Sequence, residues 1–260
     1  MIKAAFFDAD GTLVSYKNKV ISDPLVSDLA ELRRRGIKIF LATGRSKTDL
    51  IHTGMLKTAE FDGYITLSGQ YCYDQNGVYR DAPICREDIV NACCVFRENP
   101  TFATKMEAGE HTYLNCVTDR LREMFAFLHT ELYETRPADW MLERSIYQLV
   151  AMLDEEEGEK LMAVMPHCML NRWHPTGVDI FPQGGGKADG IRATLDHYGL
   201  TADEVVAFGD GPNDVSMLQM AGIGVAMGNA TEVLKAEADY VTDTVENEGI
   251  SKALRHMGLL

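Results

Sequence analysis

Four aspartates and one lysine carry most of the chemical content of this 260-residue chain. Asp8 and Asp10 stand in Asp8-Ala9-Asp10-Gly11-Thr12-Leu13. Asp210 and Asp214 stand in Gly209-Asp210-Gly211-Pro212-Asn213-Asp214, with Thr43-Gly44-Arg45 and Gly184-Gly185-Gly186-Lys187 in between. Four carboxylates brought to one place repel one another and hold protons by raised pKa. A hard dication resolves that conflict, and oxygen-only ligands without His or Cys point to Mg²⁺. Lys187 and the Thr43 hydroxyl add donors. Backbone N–H groups near Asp10-Gly11 and Thr43-Gly44 add more, because glycine lets main chain approach an anion. Such a set suits a phosphoryl group: the cation and the lysine offset its charge, and one carboxylate can attack in line.

For these segments to meet, the elements before them must be parallel strands ending on one edge. Ala4–Phe7, Ile37–Leu41 and Val205–Phe208 are short apolar runs, each running into one of the polar, glycine-bearing segments. In open α/β sheets, ligands bind beyond the carboxyl ends of the strands. Between the first two runs, Ser22-Asp23-Pro24 supplies a helix cap and first-turn proline, Leu25, Leu29 and Leu32 an apolar stripe, and Gly36 a stop. Tyr64–Leu67 reads as a further strand, and Asn76-Gly77 as a hairpin turn between Tyr71–Tyr73 and Val78–Tyr79. The last third repeats the alternation: a helix after Lys187, strand Val205–Phe208, helix Asn213–Met220, strand Ile223–Met227, helix Thr231–Ala236, strand Tyr240–Thr242 and a closing helical pattern. This predicts an α/β fold with a doubly wound parallel sheet.

The middle reads differently. Helical stretches at Glu87–Arg97, Arg120–His129 and Asp154–Val164 mix with strands that look like hairpin partners, Phe102–Met106 with Tyr113–Val117 and Ser145–Met152 with Met169–His174. That is an α+β pattern with an antiparallel sheet. We therefore expect a core built from residues 1–82 and 182–260, interrupted by an inserted domain at 83–181. The acidic run Asp154–Glu157 reads as a solvated helix start.

Composition bounds the function. The formal net charge is -14, which disfavours nucleic acid, since phosphate backbones reward basic stripes. It also leaves the attraction of an anionic substrate to local groups and a metal cation. No apolar run approaches the ~20 residues of a membrane span, and the amino terminus, with Asp8 and Asp10, lacks the pattern of a secretory signal. A cytoplasmic location is expected, and nothing identifies a protein partner. The six cysteines, Cys72, Cys85, Cys93, Cys94, Cys116 and Cys168, contain no C-x-x-C pair, so zinc-site spacing is absent and reduced, mostly buried thiols are expected. Gly184–Lys187 lacks Walker spacing, and Gly222-Ile223-Gly224 is not followed at once by a helix, so neither predicts a nucleotide site. Asp-x-Asp-Gly alone is common in turns; the joint order of the four segments is the informative signal.

That order resembles the haloacid dehalogenase (HAD) superfamily, and within it the Cof-type phosphatases with a large inserted cap of the C2B kind. Phe6–Leu13, Leu41–Arg45, Lys187 and Phe208–Ala230 carry the resemblance, with Ala238–Thr242 also fitting; across the insert the likeness is one of length and coarse pattern. The resemblance implies a Rossmann-like core, an α+β cap and Mg²⁺. It implies Asp8 as nucleophile and metal ligand, and Asp10 as general acid, then general base, with its backbone carbonyl on the metal. Thr43, the Gly44 backbone, Lys187 and Asn213 would hold the phosphoryl group, Asp210 would bind the metal directly, and Asp214 would act through metal-bound water. An acid two positions after the nucleophile, rather than the threonine of ion pumps in the family, favours hydrolysis, since a positioned base activates water. Ser68-Gly69-Gln70 stands where the family often has Asn-Gly-Ala, and Val245 where asparagine is common.

The expected substrate is a small phosphorylated metabolite, such as a sugar phosphate, read in part by the insert. Glu107–His111 and Arg172-Trp173-His174 are candidate readers, and Arg45 a candidate at the leaving group. Phosphoryl transfer to a second acceptor, as in a phosphomutase, uses the same residues. A non-catalytic sensor of a phosphorylated ligand is the third reading, against which the intact Asp8, Asp10, Lys187 and Asp210 argue.

Overall fold

The apolar runs at the two ends of the chain become buried strands of one sheet. The computed structural model describes residues 1–52, 54, 59–127 and 130–260. Its contacts divide the chain into two compact units, Met1–Asp81 with Gly185–Leu260, and Ala82–Gly184.

In the first unit the order is β1 (Ala4–Phe7), α1 (Asp23–Arg34), β2 (Lys38–Ala42), α2 (Lys47–His52), β3 (Gly63–Thr66), β4 (Tyr71–Asp74) and β5 (Gly77–Asp81). The second unit contributes α3 (Arg86–Glu98), β6 (Ala103–Ala108), β7 (His111–Leu114), α4 (Asp119–Phe127), β8 (Gln148–Met152), α5 (Glu155–Met162), β9 (Cys168–His174) and β10 (Gly177–Pro182). The chain returns to the first unit with α6 (Lys187–Tyr198), β11 (Val205–Gly209), α7 (Val215–Met220), β12 (Ile223–Ala226), α8 (Glu232–Glu237), β13 (Tyr240–Val241) and α9 (Gly249–His256).

Among the described residues the first unit holds an eight-stranded sheet ordered β13-β12-β11-β1-β2-β3-β4-β5. The six strands from β13 to β3 are parallel, and the hairpin β4–β5 adds an antiparallel edge. Every residue of β1 and β11 is buried, as expected of parallel strands covered on both faces. Phe7 pairs in register with Phe208 and with Leu41, and the Phe7 and Phe208 rings stack with centroids 5.0 Å apart. From β1 the chain proceeds outward to β2 and β3; from β11 it proceeds the other way, to β12 and β13. The point where direction reverses lies between β1 and β11, which is where an open α/β sheet leaves a crevice at its carboxyl edge.

Local rules set the helices. The Ser22 side chain accepts from the Leu25 N–H, and Leu25, Leu29 and Leu32 face the core. Asp154 and Glu157 form a reciprocal capping box at the start of α5. α4 ends at Phe127, and the last two residues of the expected helix, Leu128 and His129, lie outside the described residues.

Among the described residues the second unit holds a five-stranded antiparallel sheet ordered β7-β6-β8-β10-β9. The expected hairpin of β6 with β7 is present, with Lys105 opposite Leu114. The expected pairing of β8 with β9 is not. β10 lies between them, bonding β8 on one side and β9 on the other. Alternating patterns mark residues as strand but do not choose partners, and Gly177–Pro182 is a strand that the sequence reading lacks. Ile89, Ala92, Cys93 and Phe96 of α3 pack in one apolar cluster with Met106, Leu149, Ala151, Val178 and Ile180. Leu121, Met124 and Phe125 of α4 form another with Ala103, Leu114 and Met152.

Candidate active site

Asp8 directly follows β1 and Asp210 directly follows β11, so the reversal point places two carboxylates side by side. The Asp8 N–H donates to the Phe208 carbonyl at 3.0 Å, extending the strand pairing by one residue. Asp8, Asp210 and Asp214 each offer an oxygen to a group whose members all lie within 4.8 Å of one another, and all three are buried. Lys187, the first residue of α6 and 2% exposed, sends its ammonium between two of them. Its Nζ donates to Asp8 Oδ1 and, at 2.6 Å, to Asp214 Oδ1. Asp214 Oδ2 accepts from the backbone N–H groups of Asp210 and Gly211, both at 3.0 Å. Both Asp214 oxygens are thus engaged, while Asp8 and Asp210 remain the better candidates for direct ligation.

Two glycines make this close approach possible. A Cβ on Gly11 would lie 2.0 Å from Asp210 Oδ2, and its φ of +83° is one that side-chain-bearing residues avoid. A Cβ on Gly69 would meet the Gly186 carbonyl oxygen at 2.2 Å, so Gly69 allows the start of α6, with Lys187, to close on the end of β3.

The electrostatics follow from burial. Desolvation pushes Asp8 well above the usual carboxylate range; Lys187 opposes this, while Asp214 and Asp210 add to it. Asp210 is pushed up to about 7, by burial first and then by the charge of Asp214. Burial also disfavours the Lys187 ammonium, but Asp214 and Asp8 outweigh it and raise its pKa. One buried cation therefore serves three buried carboxylates, a set that fits a further hard dication.

The other expected residues take varied positions. Thr43, buried one residue beyond β2, accepts the Arg45 N–H on its Oγ1 at 3.1 Å, which leaves its hydroxyl proton to donate. Gly44 follows it, and the Ser68 N–H donates to the Thr43 carbonyl at 3.1 Å. Leu67 and Ser68 hold φ of 52° and 55°, a left-handed pair that curls the end of β3 toward Thr43-Gly44. Asn213 is exposed in the one-turn helix Pro212–Asp214 after β11.

Asp10 does not join the carboxylate group. Arg45 forks it, with Nε on Oδ2 at 2.6 Å and Nη2 on Oδ1 at 2.7 Å. Two residues escaped the sequence reading. Tyr16 Oη lies 3.4 Å from Asp210 Oδ2, and burial followed by the Asp210 charge raises its pKa. Asn229 donates to the Gly11 carbonyl at 2.8 Å and accepts the Val245 N–H at 2.9 Å. Asn229 stands inside the Phe208–Ala230 stretch, so its motif was visible although its role was not.

Of the candidate readers of the insert, Glu107, Arg172, Trp173 and His174 are engaged within their own unit. Glu107 is buried, paired with Lys105 Nζ at 2.6 Å and accepting from Thr112 at 2.6 Å. Arg172 donates to the carbonyls of Leu153, Pro175 and Asp154 at 2.8–3.0 Å. Trp173 donates to Asp179 at 3.1 Å, and His174 Nδ1 lies 3.2 Å from the Thr176 hydroxyl. Among the described residues no helix is long and apolar enough to cross a membrane. The thiols are less buried than expected: Cys72, Cys93 and Cys168 are buried, Cys116 is intermediate, and Cys85 and Cys94 are exposed.

Comparison with known proteins gives this geometry a context. The sequence model of the haloacid dehalogenase-like hydrolases matches residues 5–254. The candidate phosphatase YkrA of Bacillus subtilis (strain 168) is 32% identical over 269 residues, spanning 99% of this chain and 98% of that protein. The structure of BT1666 from Bacteroides thetaiotaomicron, a phosphatase of the haloalkanoate (HAD) superfamily, matches with a TM-score of 0.90 and 36% identity, covering 100% of this chain and 96% of that one. The sugar phosphatase BT4131, of HAD subclass IIB, matches with a TM-score of 0.86 and 34% identity, covering 99% and 100%.

Proposed function

This chain belongs to the haloacid dehalogenase-like hydrolase family and is a phosphatase, and on that footing we propose that it hydrolyses phosphate monoesters of small metabolites, sugar phosphates among them, through an aspartyl-phosphate on Asp8. The observation that carries this reading is the Lys187 ammonium bonded to both Asp8 and Asp214 beside Asp210 at the reversal point of the sheet. Asp8 Oδ1 is taken by Lys187, so Oδ2 is the oxygen that attacks phosphorus. The phosphorus–leaving-oxygen bond breaks, and Asp10 gives that oxygen a proton. Water then attacks the phosphorus of the acyl phosphate, losing a proton to Asp10 as phosphate leaves and Asp8 is regenerated. The Thr43 hydroxyl, the Gly44 N–H and Asn213 hold the phosphoryl oxygens, and Lys187 offsets their charge. A divalent cation, Mg²⁺ by the hardness of the donors, would be held by Asp8, Asp210 and the Asp10 carbonyl and would offset charge on the phosphoryl group, with Asp214 acting through water. The likeness to a sugar phosphatase supports the substrate class, and the inserted unit Ala82–Gly184 is in this reading a C2B-type cap that recognises the rest of the substrate.

The test is phosphate release from a panel of small phosphate esters, with Mg²⁺ and with EDTA, for wild type and Asp8→Asn. Release that requires both the metal and Asp8 is expected; release that persists without either contradicts the reading.

A further inference from the structure

The unit Ala82–Gly184 holds a second cluster of metal-competent atoms, which the phosphoryl chemistry does not use. Cys85 is the N-cap of α3, and its side chain makes no capping bond. Its Sγ instead lies 3.5 Å from Nδ1 of His167. Asp88, on the first turn of the same helix and fully buried, places Oδ1 3.0 Å from that same nitrogen. Its other oxygen accepts the His167 backbone N–H at 3.0 Å, so one carboxylate both meets the ring and fixes the chain that carries it. Sγ, Nδ1 and the carboxylate oxygen lie within 4.8 Å of one another.

Cysteine, histidine and aspartate in contact invite comparison with a nucleophile relay. A relay needs the imidazole as a bridge, with one ring nitrogen toward the sulfur and the other toward the carboxylate. Here sulfur and carboxylate meet on the same nitrogen. That geometry cannot pass a proton across the ring, but it is the geometry of three donors around a common centre. With Zn–S of about 2.3 Å and Zn–N and Zn–O of about 2.0–2.2 Å, a tetrahedral site separates sulfur from nitrogen by about 3.6 Å and nitrogen from oxygen by about 3.4 Å. The observed separations of 3.5 and 3.0 Å need only a small adjustment to match.

We propose that Cys85, Asp88 and His167 form a binding site for a zinc-class divalent cation, with water completing the coordination. The donor set is one thiolate, one imidazole and one carboxylate, which suits Zn²⁺ and not Mg²⁺. Cys85 is exposed and the His167 side chain 58% exposed, so an ion reaches the site from solvent while Asp88 anchors it from below. On binding, the sulfur–hydrogen bond of Cys85 is replaced by a sulfur–metal bond and its proton leaves to solvent; the proton that His167 Nδ1 shares with Asp88 also leaves, to solvent or by a shift of tautomer to Nε2, so that Nδ1 donates its lone pair. The ion ties the first turn of α3 to the segment just before β9 and stabilises the unit by mass action.

Cobalt titration of the full chain, in saturating Mg²⁺, tests this. One Co²⁺ per chain should bind with a thiolate-to-cobalt charge-transfer band and release of protons, and Zn²⁺ should displace it. Cys85→Ser should abolish the band. Both Cys85→Ser and His167→Ala, whose side chains are exposed, should weaken binding at least about 100-fold, more than loss of an outer-sphere partner does. Cys94→Ser, at an exposed cysteine of the same helix, and Asp8→Asn should bind as wild type does. Absence of the band in the wild type, its survival in Cys85→Ser, or unchanged affinity in His167→Ala would overturn the proposal.

Discussion

Among the described residues two clusters are able to take a cation, and they differ in donor set and in burial. Asp8, Asp210 and Asp214 are oxygen donors, all buried and served by the buried ammonium of Lys187. Cys85, Asp88 and His167 mix sulfur, nitrogen and oxygen, and two of the three are exposed. The first arises where two strands end side by side, its closeness enforced by Gly11. The second arises where a helix start meets a loop. Buried like charges around a lysine form a centre prepared for an anion with its own counter-ion. An exposed set of mixed donors can bind a zinc-class ion without the buried charge that holds a phosphoryl group. Proximity of ligands alone therefore does not mark a reaction centre; desolvated charge does.

The strongest break in this contrast is Asp8→Asn. It should lower kcat to less than about one part in a thousand while leaving the fold intact, since loss of a nucleophile removes most of the catalysis. Cys85→Ser should leave turnover unchanged. A residual rate of several per cent in Asp8→Asn would dissolve the distinction.

Asp10→Asn comes next, with a loss of about 10²–10⁴-fold expected for general acid–base catalysis. The loss of the first step should be largest for esters with poor leaving groups and small for p-nitrophenyl phosphate, whose oxygen departs without a proton. Equal losses of that step across leaving groups would remove Asp10 as the acid.

Lys187→Met should cost about 3–5 kcal/mol in chemical unfolding followed by far-ultraviolet circular dichroism in EDTA, because Asp8 and Asp214 stay buried without their counter-charge. Mg²⁺ should restore part of that loss. Unchanged stability would mean that the cluster is not held by the lysine.

The smallest effect lies in the second unit. Burial pushes Asp179 up to about 6 from an ordinary value of 3.8. A raised carboxylate binds its proton more tightly folded than unfolded. Its contribution is thus full below about pH 4 and lost as pH rises through about 6. Asp179→Asn should flatten that slope in unfolding curves followed by tryptophan fluorescence. Trp140 and Trp173, both in this unit, supply the signal. An identical slope in the variant would place the titration elsewhere.

Legibility in the sequence followed the same divide. Asp8, Thr43, Lys187 and Asp210 could be read because each stands within a few residues of a strand end or helix start, where the local pattern fixes the backbone. The parallel sheet followed from strand–helix alternation. The Arg45–Asp10 fork and the Tyr16–Asp210 contact join residues 35 and 194 positions apart, and no local pattern encodes which distant side chains meet. The misassigned partner of β8 has the same origin: alternation identifies a strand and its faces, not its neighbour. His167 stands 79 residues from Asp88, beyond any spacing rule for metal ligands, so the second cluster became visible only once the chain was folded.

A covalent intermediate at Asp8 is the central step of the proposed reaction, and its direct measurement is acid-quench trapping. Asp10→Asn is mixed with p-nitrophenyl phosphate labelled at phosphorus, in Mg²⁺, and the quenched protein is digested and mapped. The first step should proceed while hydrolysis is slow, so label should accumulate on the peptide containing Asp8 and be absent when Asp8 is also replaced by Asn. Substrate turnover by this variant with no label on the chain, or label on another residue, would contradict the account.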